Sequence, residues 1–475
     1  MPPDLLQPYS YRRRITQEPD HRRFPGWRKT TEREWNSPQW QRAHCLKSLG
    51  QLRDVTADLV SDSFFEDLAR DQREHATMSM LITPHMVNTI AAEAPVSGPG
   101  SLTDAFRRDP VRRYMLPIFS DRQTDFVSHP RAERDSLHER DMWAVEGLTH
   151  RYPTKVLAEV VSTCPQYCGH CTRMDLVGTS TAQISKAGFT LKPQARLDAM
   201  LTYLRATPTV RDVVVSGGDL ANMPWPRVEA FINELLEIDS IRDIRLASKA
   251  LIGLPQHWAD EQILSGIARL AVTAHLRGVQ LSLHTHANAA QQITPSVCAA
   301  ARRLLEAGLR DIRNQAVLLR SVNDSAQALL DLSFALLDQA AVMPYYIYMC
   351  DMIPFSEHWR TSVAQAQALQ LDIMGYLPGF ATPRIVCDVP FVGKRWVHQP
   401  CYYDRIRGIS YWSKNYRTMA EADDSEALTR LHEFYDPLDT LPPEGRRWWA
   451  GDHDDGRVSV PGNTIRHSPM AATDR

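Results

Sequence analysis

The run Ser162-Thr163-Cys164-Pro165-Gln166-Tyr167-Cys168-Gly169-His170-Cys171-Thr172-Arg173 decides how the rest of the chain is read. Three cysteines in a C-x3-C-x2-C spacing put three thiolates on one short loop. Such a set holds three irons of a cubane cluster and leaves the fourth without a protein ligand. An iron with a vacant position can take a small chelating molecule, and the amino and carboxylate groups of S-adenosylmethionine suit it. Electron transfer into the sulfonium then releases a carbon radical, chemistry that belongs to the cofactor while the protein positions and shields it. Two plainer readings stand beside this one. Zinc wants a fourth Cys or His and usually paired C-x2-C motifs, and only His170 is at hand. A disulfide framework is too sparse at eight cysteines in 475 residues.

Working outward, the length allows two or three domains, or one large α/β barrel with extensions. Hydrophobic content of 43% and charged content of 23% are those of an ordinary globular protein. The net charge of −2 argues against a nucleic-acid footprint. Met1-Pro2-Pro3 leads to Arg12-Arg13-Arg14 without an apolar segment of signal-peptide type, and no run of 18 apolar residues occurs. The expected setting is the cytoplasm, where free thiols and an oxygen-sensitive cluster survive, with neither nucleic acid nor membrane as a partner.

From Lys155 onward, short β-rich runs alternate with helical stretches. The runs are 156–161, 213–215, 244–247, 279–283, 315–319, 345–348 and 385–386; the helical stretches are 197–204, 228–236, 262–274, 296–305 and 326–337. This alternation indicates βα units and a parallel sheet, here a partial (β/α)6 barrel. Barrel active sites lie on the loops after the strands, and the cysteine loop follows the first one. Residues 1–149 read as a helical N-terminal region, with a helical stretch over 39–52. Residues 150–400 read as the barrel, and 401–475 as a C-terminal extension whose end beyond about 455 is disordered.

The cysteine segment resembles that of the lysine 2,3-aminomutase family, through Tyr167-Cys168 and His170-Cys171-Thr172-Arg173. The resemblance runs from about Trp35 to about Lys394. Trp35-Asn36-Ser37-Pro38-Gln39-Trp40-Gln41, Ile82-Thr83-Pro84 and Asp109-Pro110-Val111-Arg112-Arg113 also resemble the family, and as residues they are packing and capping signals. It implies a [4Fe-4S] cluster on Cys164, Cys168 and Cys171, S-adenosylmethionine, and pyridoxal 5′-phosphate. The tetrapeptide His150-Arg151-Tyr152-Pro153, followed by Lys155, matches the family's phosphate-gripping segment, and a guanidinium forks well onto phosphate. Arg173 matches the arginine that grips the substrate carboxylate, although Met174-Asp175 replaces the basic residues that follow it in the family.

Ser216-Gly217-Gly218-Asp219 ends the second strand, where paired glycines allow a close backbone approach to S-adenosylmethionine. Gln315 and Tyr348 are further cofactor contacts on this reading, with His284-Thr285-His286 and Asn314 weaker ones that local hydrogen bonding explains equally well. Asp351 and Asp388 follow apolar runs, where a lone carboxylate is costly. In the family two such aspartates hold the substrate's side-chain ammonium, which implies a basic amino acid. Glu357-His358-Trp359-Arg360-Thr361 resembles the family too. Lys394 matches the Schiff-base lysine, which needs a depressed pKa from its surroundings. The family's loop before it is longer and nearly all glycine, whereas Phe391 and Val392 stand here. The tail lacks the cysteines with which some members bind zinc, so no zinc is expected.

Together these imply an isomerase that converts L-lysine to L-β-lysine by amino migration between adjacent carbons. An electron donor such as flavodoxin or ferredoxin and a homo-oligomeric state are also implied. The alternatives are the same reaction on arginine, ornithine or a protein-bound lysine, or an iron–sulfur protein that has lost catalysis.

Overall fold

Runs rich in Val and Ile become strands because branched side chains pack well on a buried pleated surface. The computed structural model describes residues 9–451 apart from 14, 123–124 and 419–420, together with the backbone of 457–460 and 463–466. Ten strands form one sheet: β1 (Trp143–Val145), β2 (Leu148–Tyr152), β3 (Lys155–Val161), β4 (Asp212–Gly217), β5 (Asp243–Ala247), β6 (Gln280–Thr285), β7 (Ile312–Leu318), β8 (Met343–Met349), β9 (Arg384–Val389) and β10 (Gly393–Trp396). They lie side by side in chain order, β3 to β9 parallel, with β1 and β2 antiparallel at one edge and β10 at the other.

Six helices, Pro193–Ala206, Trp225–Leu236, Glu261–Leu276, Pro295–Glu306, Ala326–Ala340 and Val363–Ile373, cross between the parallel strands. The result is six βα units and a seventh parallel strand, the α/β architecture expected from the sequence. Side chains from β2 to β10 line one cavity, so the open sheet curls around it. Val213, Val215, Ile244, Leu246 and Ile385, each fully or almost fully buried, face the helices. Each buried aliphatic side chain contributes about 1.5–3 kcal/mol.

The N-terminal region is helical and shares its core with the barrel: Phe24, Trp27, Phe64, Met86 and Phe106 belong to the same apolar cluster as the strands. Ser37, Thr83 and Asp109 each cap a helix that opens with proline, accepting from Trp40 N, Met86 N and both Val111 N and Arg112 N respectively. The continuous helix expected over 39–52 is instead two, Pro38–Ala43 and Leu49–Thr56. Between them Leu46 pairs with Ile82 as an isolated β-bridge, and Ser48 caps the second helix.

The C-terminal extension carries a three-stranded antiparallel sheet, β11 (Tyr402–Asp404), β12 (Ile409–Trp412) and β13 (His432–Tyr435), then a helix, Pro443–Trp449. Trp412 and Phe434 join the main core, and Asp436 accepts from Val363 N, which seats the extension on the last barrel helix. The segment read as disordered beyond about 455 lies mostly outside the described residues. Its described parts, Arg457–Val460 and Asn463–Arg466, pair as a hairpin.

Candidate active site

β3 ends at Val161 and the chain turns into the cysteine loop, which the N-terminal region holds from outside. Tyr167 N donates to Leu81 O at 2.8 Å and Gly169 N to Tyr114 O at 2.8 Å. From inside, β4 holds it: Gly218 N donates to Val161 O at 2.5 Å and Asp219 N to Thr163 O at 3.0 Å. Only glycine permits this approach. Gly217 has φ +111, and a Cβ there would strike Val161 O; a Cβ on Gly218 would lie 2.6 Å from the carbonyl carbon of Thr163. The glycines were expected to admit a ligand; the close neighbour is the cysteine loop's own backbone. Asp219 is committed to the chain as well, accepting from Ala221 N (2.9 Å), Ser248 Oγ (2.7 Å) and Ala250 N (3.1 Å).

One cavity of about 850 Å³ runs from this loop down through the barrel. It is lined by Cys164, Cys168, Cys171, Arg173, Ser216, Gly217, Gly218, Asp219, Gln315, Tyr348, Asp351, Asp388 and Lys394, with Arg151, Tyr152 and Lys155. Every site residue singled out from the sequence therefore opens on the same space. Of the weaker candidates, His284, Thr285 and His286 line it, whereas Asn314 bonds both backbone groups of Ala287 and shapes the loop after β6.

The three thiols sit differently from ligands of a single ion: among the described residues no three His, Cys, Asp or Glu side chains converge on one point. A cubane asks each thiolate for a different iron, so its ligands stand apart around the cluster. Cys164 and Cys171 pack against Met78, Tyr167, Met174, Val177, Ile184 and Ile353, and burial pushes both thiols up, Cys171 to about 11. Both polar atoms of Gln166, His170 Nδ1, Thr285 Oγ1 and His286 Nε2 are buried beside the cavity without a hydrogen-bond partner among the described residues. These atoms leave hydrogen-bonding capacity at the cavity wall for a polar ligand to take up.

At the other end, the shortened loop before Lys394 proves to be a tight hairpin. Gly393 pairs with Val389 and Lys394 with Asp388, leaving Pro390, Phe391 and Val392 as the connection. Phe391 takes φ +62 and stacks on His138 at 4.1 Å, and Tyr416 Oη donates to Val392 O. Lys394 thus stands on edge strand β10 directly across from Asp388, with Nζ at 3.4 Å from Oδ2 and its N–H donated to Tyr152 Oη at 2.9 Å. Burial works to lower its pKa, but Asp388, Tyr348 and Tyr152 outweigh it and hold the amine well above the usual lysine range. The depressed pKa expected from the sequence is therefore absent in this arrangement, because the hairpin register brings a carboxylate opposite.

Asp388 also accepts from Arg151 Nη1 at 2.8 Å; against burial, Lys394 and Arg151 keep its pKa low. Arg151 Nη2 donates to Leu137 O, while its Nε is buried without a partner among the described residues. Lys155 and Arg395 line the same end and face no carboxylate within 4 Å among the described residues. Gln315 is fixed between His284 Nδ1 at 2.7 Å and Tyr348 Oη at 3.2 Å.

Arg173 lies between two carboxylates that the sequence did not reveal. Its Nε is 3.0 Å from Glu139 Oε2 and 3.3 Å from Glu159 Oε1, and Nη1 donates to Gly217 O at 3.3 Å. Glu159 on β3 has 3% of its side chain exposed, and burial with the nearby Glu139 pushes it up to about 7. Of the five guanidinium N–H groups, one on each terminal nitrogen stays open after these bonds and the Nη2 contact to Glu139 Oε1. Asp351 has no ion pair or side-chain hydrogen bond among the described residues. Burial first, then Asp388 and Glu139, raise it well above the carboxylate range. Lys249 is a further cavity residue that sequence reading passed over, with Nζ 3.0 Å from Cys168 Sγ.

No family model matches the chain. An L-lysine 2,3-aminomutase of Fusobacterium nucleatum is 31% identical over 78% of this chain and 78% of that protein. One from Clostridium subterminale is 29% identical over 80% of this chain and 82% of its own length. A glutamate 2,3-aminomutase of Clostridioides difficile is 25% identical over 78% of each. Likeness at that identity across about four-fifths of the relatives' length is inherited: the chain belongs to the lysine 2,3-aminomutase family and is an isomerase of the aminomutase kind.

Proposed function

We propose that the protein is a radical-SAM, pyridoxal-phosphate-dependent 2,3-aminomutase that converts L-lysine to L-β-lysine. The observation that carries this reading is the single cavity on which the three thiols, the Lys394 amine and the unpaired Asp351 carboxylate all open. Residues 150–400 form the catalytic unit on this reading, with the N-terminal helices and the C-terminal extension bracing it.

When bound, the cluster with S-adenosylmethionine supplies one-electron chemistry fed by an external electron donor, and pyridoxal phosphate supplies a π system that accepts a radical during amino migration. Cys164, Cys168 and Cys171 would hold the cluster; the orphaned polar atoms of Gln166, His170, Thr285 and His286 would meet S-adenosylmethionine. Arg151 Nε, Lys155 and Arg395 would hold the phosphate, with Lys394 as the covalent anchor and Gln315, Tyr152 and Tyr348 around the ring. The open edge of Arg173 takes the substrate carboxylate, Glu139 and Glu159 fixing the opposite edge. Asp351 takes the side-chain ammonium: a half-buried carboxylate without an ion pair is relieved by a cation and made worse by an anion.

The test is anaerobic reconstitution with iron, sulfide and pyridoxal phosphate, followed by assay of S-adenosylmethionine cleavage and β-amino acid formation with lysine, ornithine, arginine and glutamate. Lysine is expected to turn over best. Turnover of glutamate in preference to lysine would refute the substrate assignment, and no cleavage with any of the four would refute the reaction.

A further inference from the structure

Around the cavity, the cations Arg151, Arg173, Arg245 and Lys394 each face a carboxylate, and Lys155 and Arg395 lie at the far end from the cysteine loop. Lys249 faces sulfur. It follows β5, and its backbone is pinned on both sides: Ser248 N donates to His284 O at 2.9 Å, and Asp219 accepts from Ser248 Oγ and Ala250 N. The acid nearest in that turn is thereby consumed, and Lys249 Nζ has no carboxylate within 4 Å among the described residues. The ammonium instead lies 3.0 Å from Cys168 Sγ and 4.6 Å from the centre of the buried Tyr114 ring, whose carbonyl holds the cysteine loop through Gly169 N. An unneutralised cation in a partly buried site is costly unless an anion comes to it. The fixed backbone and the aromatic wall aim that charge at one thiol.

We propose that Lys249 is the counter-charge that sets the reduction potential of the cluster held by Cys164, Cys168 and Cys171, acting through Cys168. This rests on the cluster reading above. One electron from a donor protein enters the cluster and no bond changes, so the site gains one negative charge. A fixed positive charge and an N–H to the ligating sulfur stabilise the reduced state more than the oxidised one and raise the potential.

The full-length protein, reconstituted anaerobically with iron and sulfide and without S-adenosylmethionine, is titrated with reductant under EPR detection. Lys249→Met is expected to shift the midpoint negative by a tenfold or larger fall in the reduction equilibrium, 59 mV for one electron. Lys249→Arg is expected to bring it back toward wild type. A Lys249→Met protein that titrates at the wild-type potential, or a Lys249→Arg protein that titrates with Lys249→Met, overturns the proposal. Should Lys249→Met take up no cluster, Lys249→Gln is titrated in its place: a negative shift supports the proposal and a wild-type potential overturns it. Failure of both neutral variants to hold iron while Lys249→Arg is fully loaded makes Lys249 an assembly residue and also overturns it. Wild-type protein without iron and sulfide defeats the cluster reading itself, which iron analysis distinguishes from an unshifted potential.

Discussion

Gly218→Ala tests how the cysteine loop is held. An alanine Cβ would lie 2.6 Å from Thr163 C and 2.7 Å from Thr163 N, where ordinary contact is 3.4 Å or more, so the loop must retreat by about 1 Å. The neighbours are backbone atoms and cannot rotate away. Retreat stretches the bond from Asp219 N to Thr163 O, 3.0 Å in the structure, at about 1 kcal/mol. Overpacking adds about 1–3 kcal/mol, for a destabilisation of roughly 2–4 kcal/mol. Gly188→Ala is the control: nothing lies within 4 Å of the Cβ it would carry, and its effect should stay within about 0.5 kcal/mol. Denaturant unfolding of the metal-free chains measures both, and iron and sulfide content after reconstitution measures the cysteine loop alone. Gly218→Ala should lose cluster as well as stability. Wild-type cluster content with stability within 0.5 kcal/mol of wild type would refute the claim that these glycines serve the loop.

Asp351→Asn removes the carboxylate assigned to the ammonium and should raise KM for lysine about 30-fold, from about 2 kcal/mol for a charged hydrogen bond, without loss of stability; an unchanged KM would place the ammonium elsewhere. Glu159, pushed from 4.5 to about 7, binds its proton more tightly folded than unfolded. Its contribution is fully present below about pH 4.5 and is lost as pH rises through about 7, some 3 kcal/mol in all. Glu159→Gln should abolish that slope, and a wild-type-minus-variant stability that stays constant from pH 5 to 8 would contradict the assignment. Tyr152→Phe strands the Lys394 N–H and should cost about 1–2 kcal/mol in denaturant unfolding, whereas no change would mean that the hairpin is held by its other contacts.

The barrel was legible because β-branched runs and helical periods alternate without interruption from Lys155 to Val386. The cysteine loop was legible because ligand spacing is a local property. What escaped depends on closure in space. Glu159 is one residue within the apolar run 156–161, and nothing local shows that Arg173, fourteen positions on, folds back to it. Glu139, in the charged run His138-Glu139-Arg140-Asp141, and Lys249, a lone charge after β5, look like solvent-facing residues until the barrel brings them to the cavity. The hairpin before Lys394 was half legible: a shorter, bulkier loop was visible, but its register, which sets Lys394 against Asp388 and reverses the expected pKa shift, was not. The break in the 39–52 helix likewise comes from a distant partner, Ile82.

The two ends of the cavity must serve one reaction. Lysine deuterated at Cβ, incubated anaerobically with fully reconstituted protein, tests this most directly through the label recovered in S-adenosylmethionine and 5′-deoxyadenosine. Deuterium is expected there with wild-type protein, and only when pyridoxal phosphate is also supplied. Transfer that proceeds equally without pyridoxal phosphate, or in Lys394→Ala protein, or that never occurs in protein carrying a full complement of iron and sulfide, would contradict it.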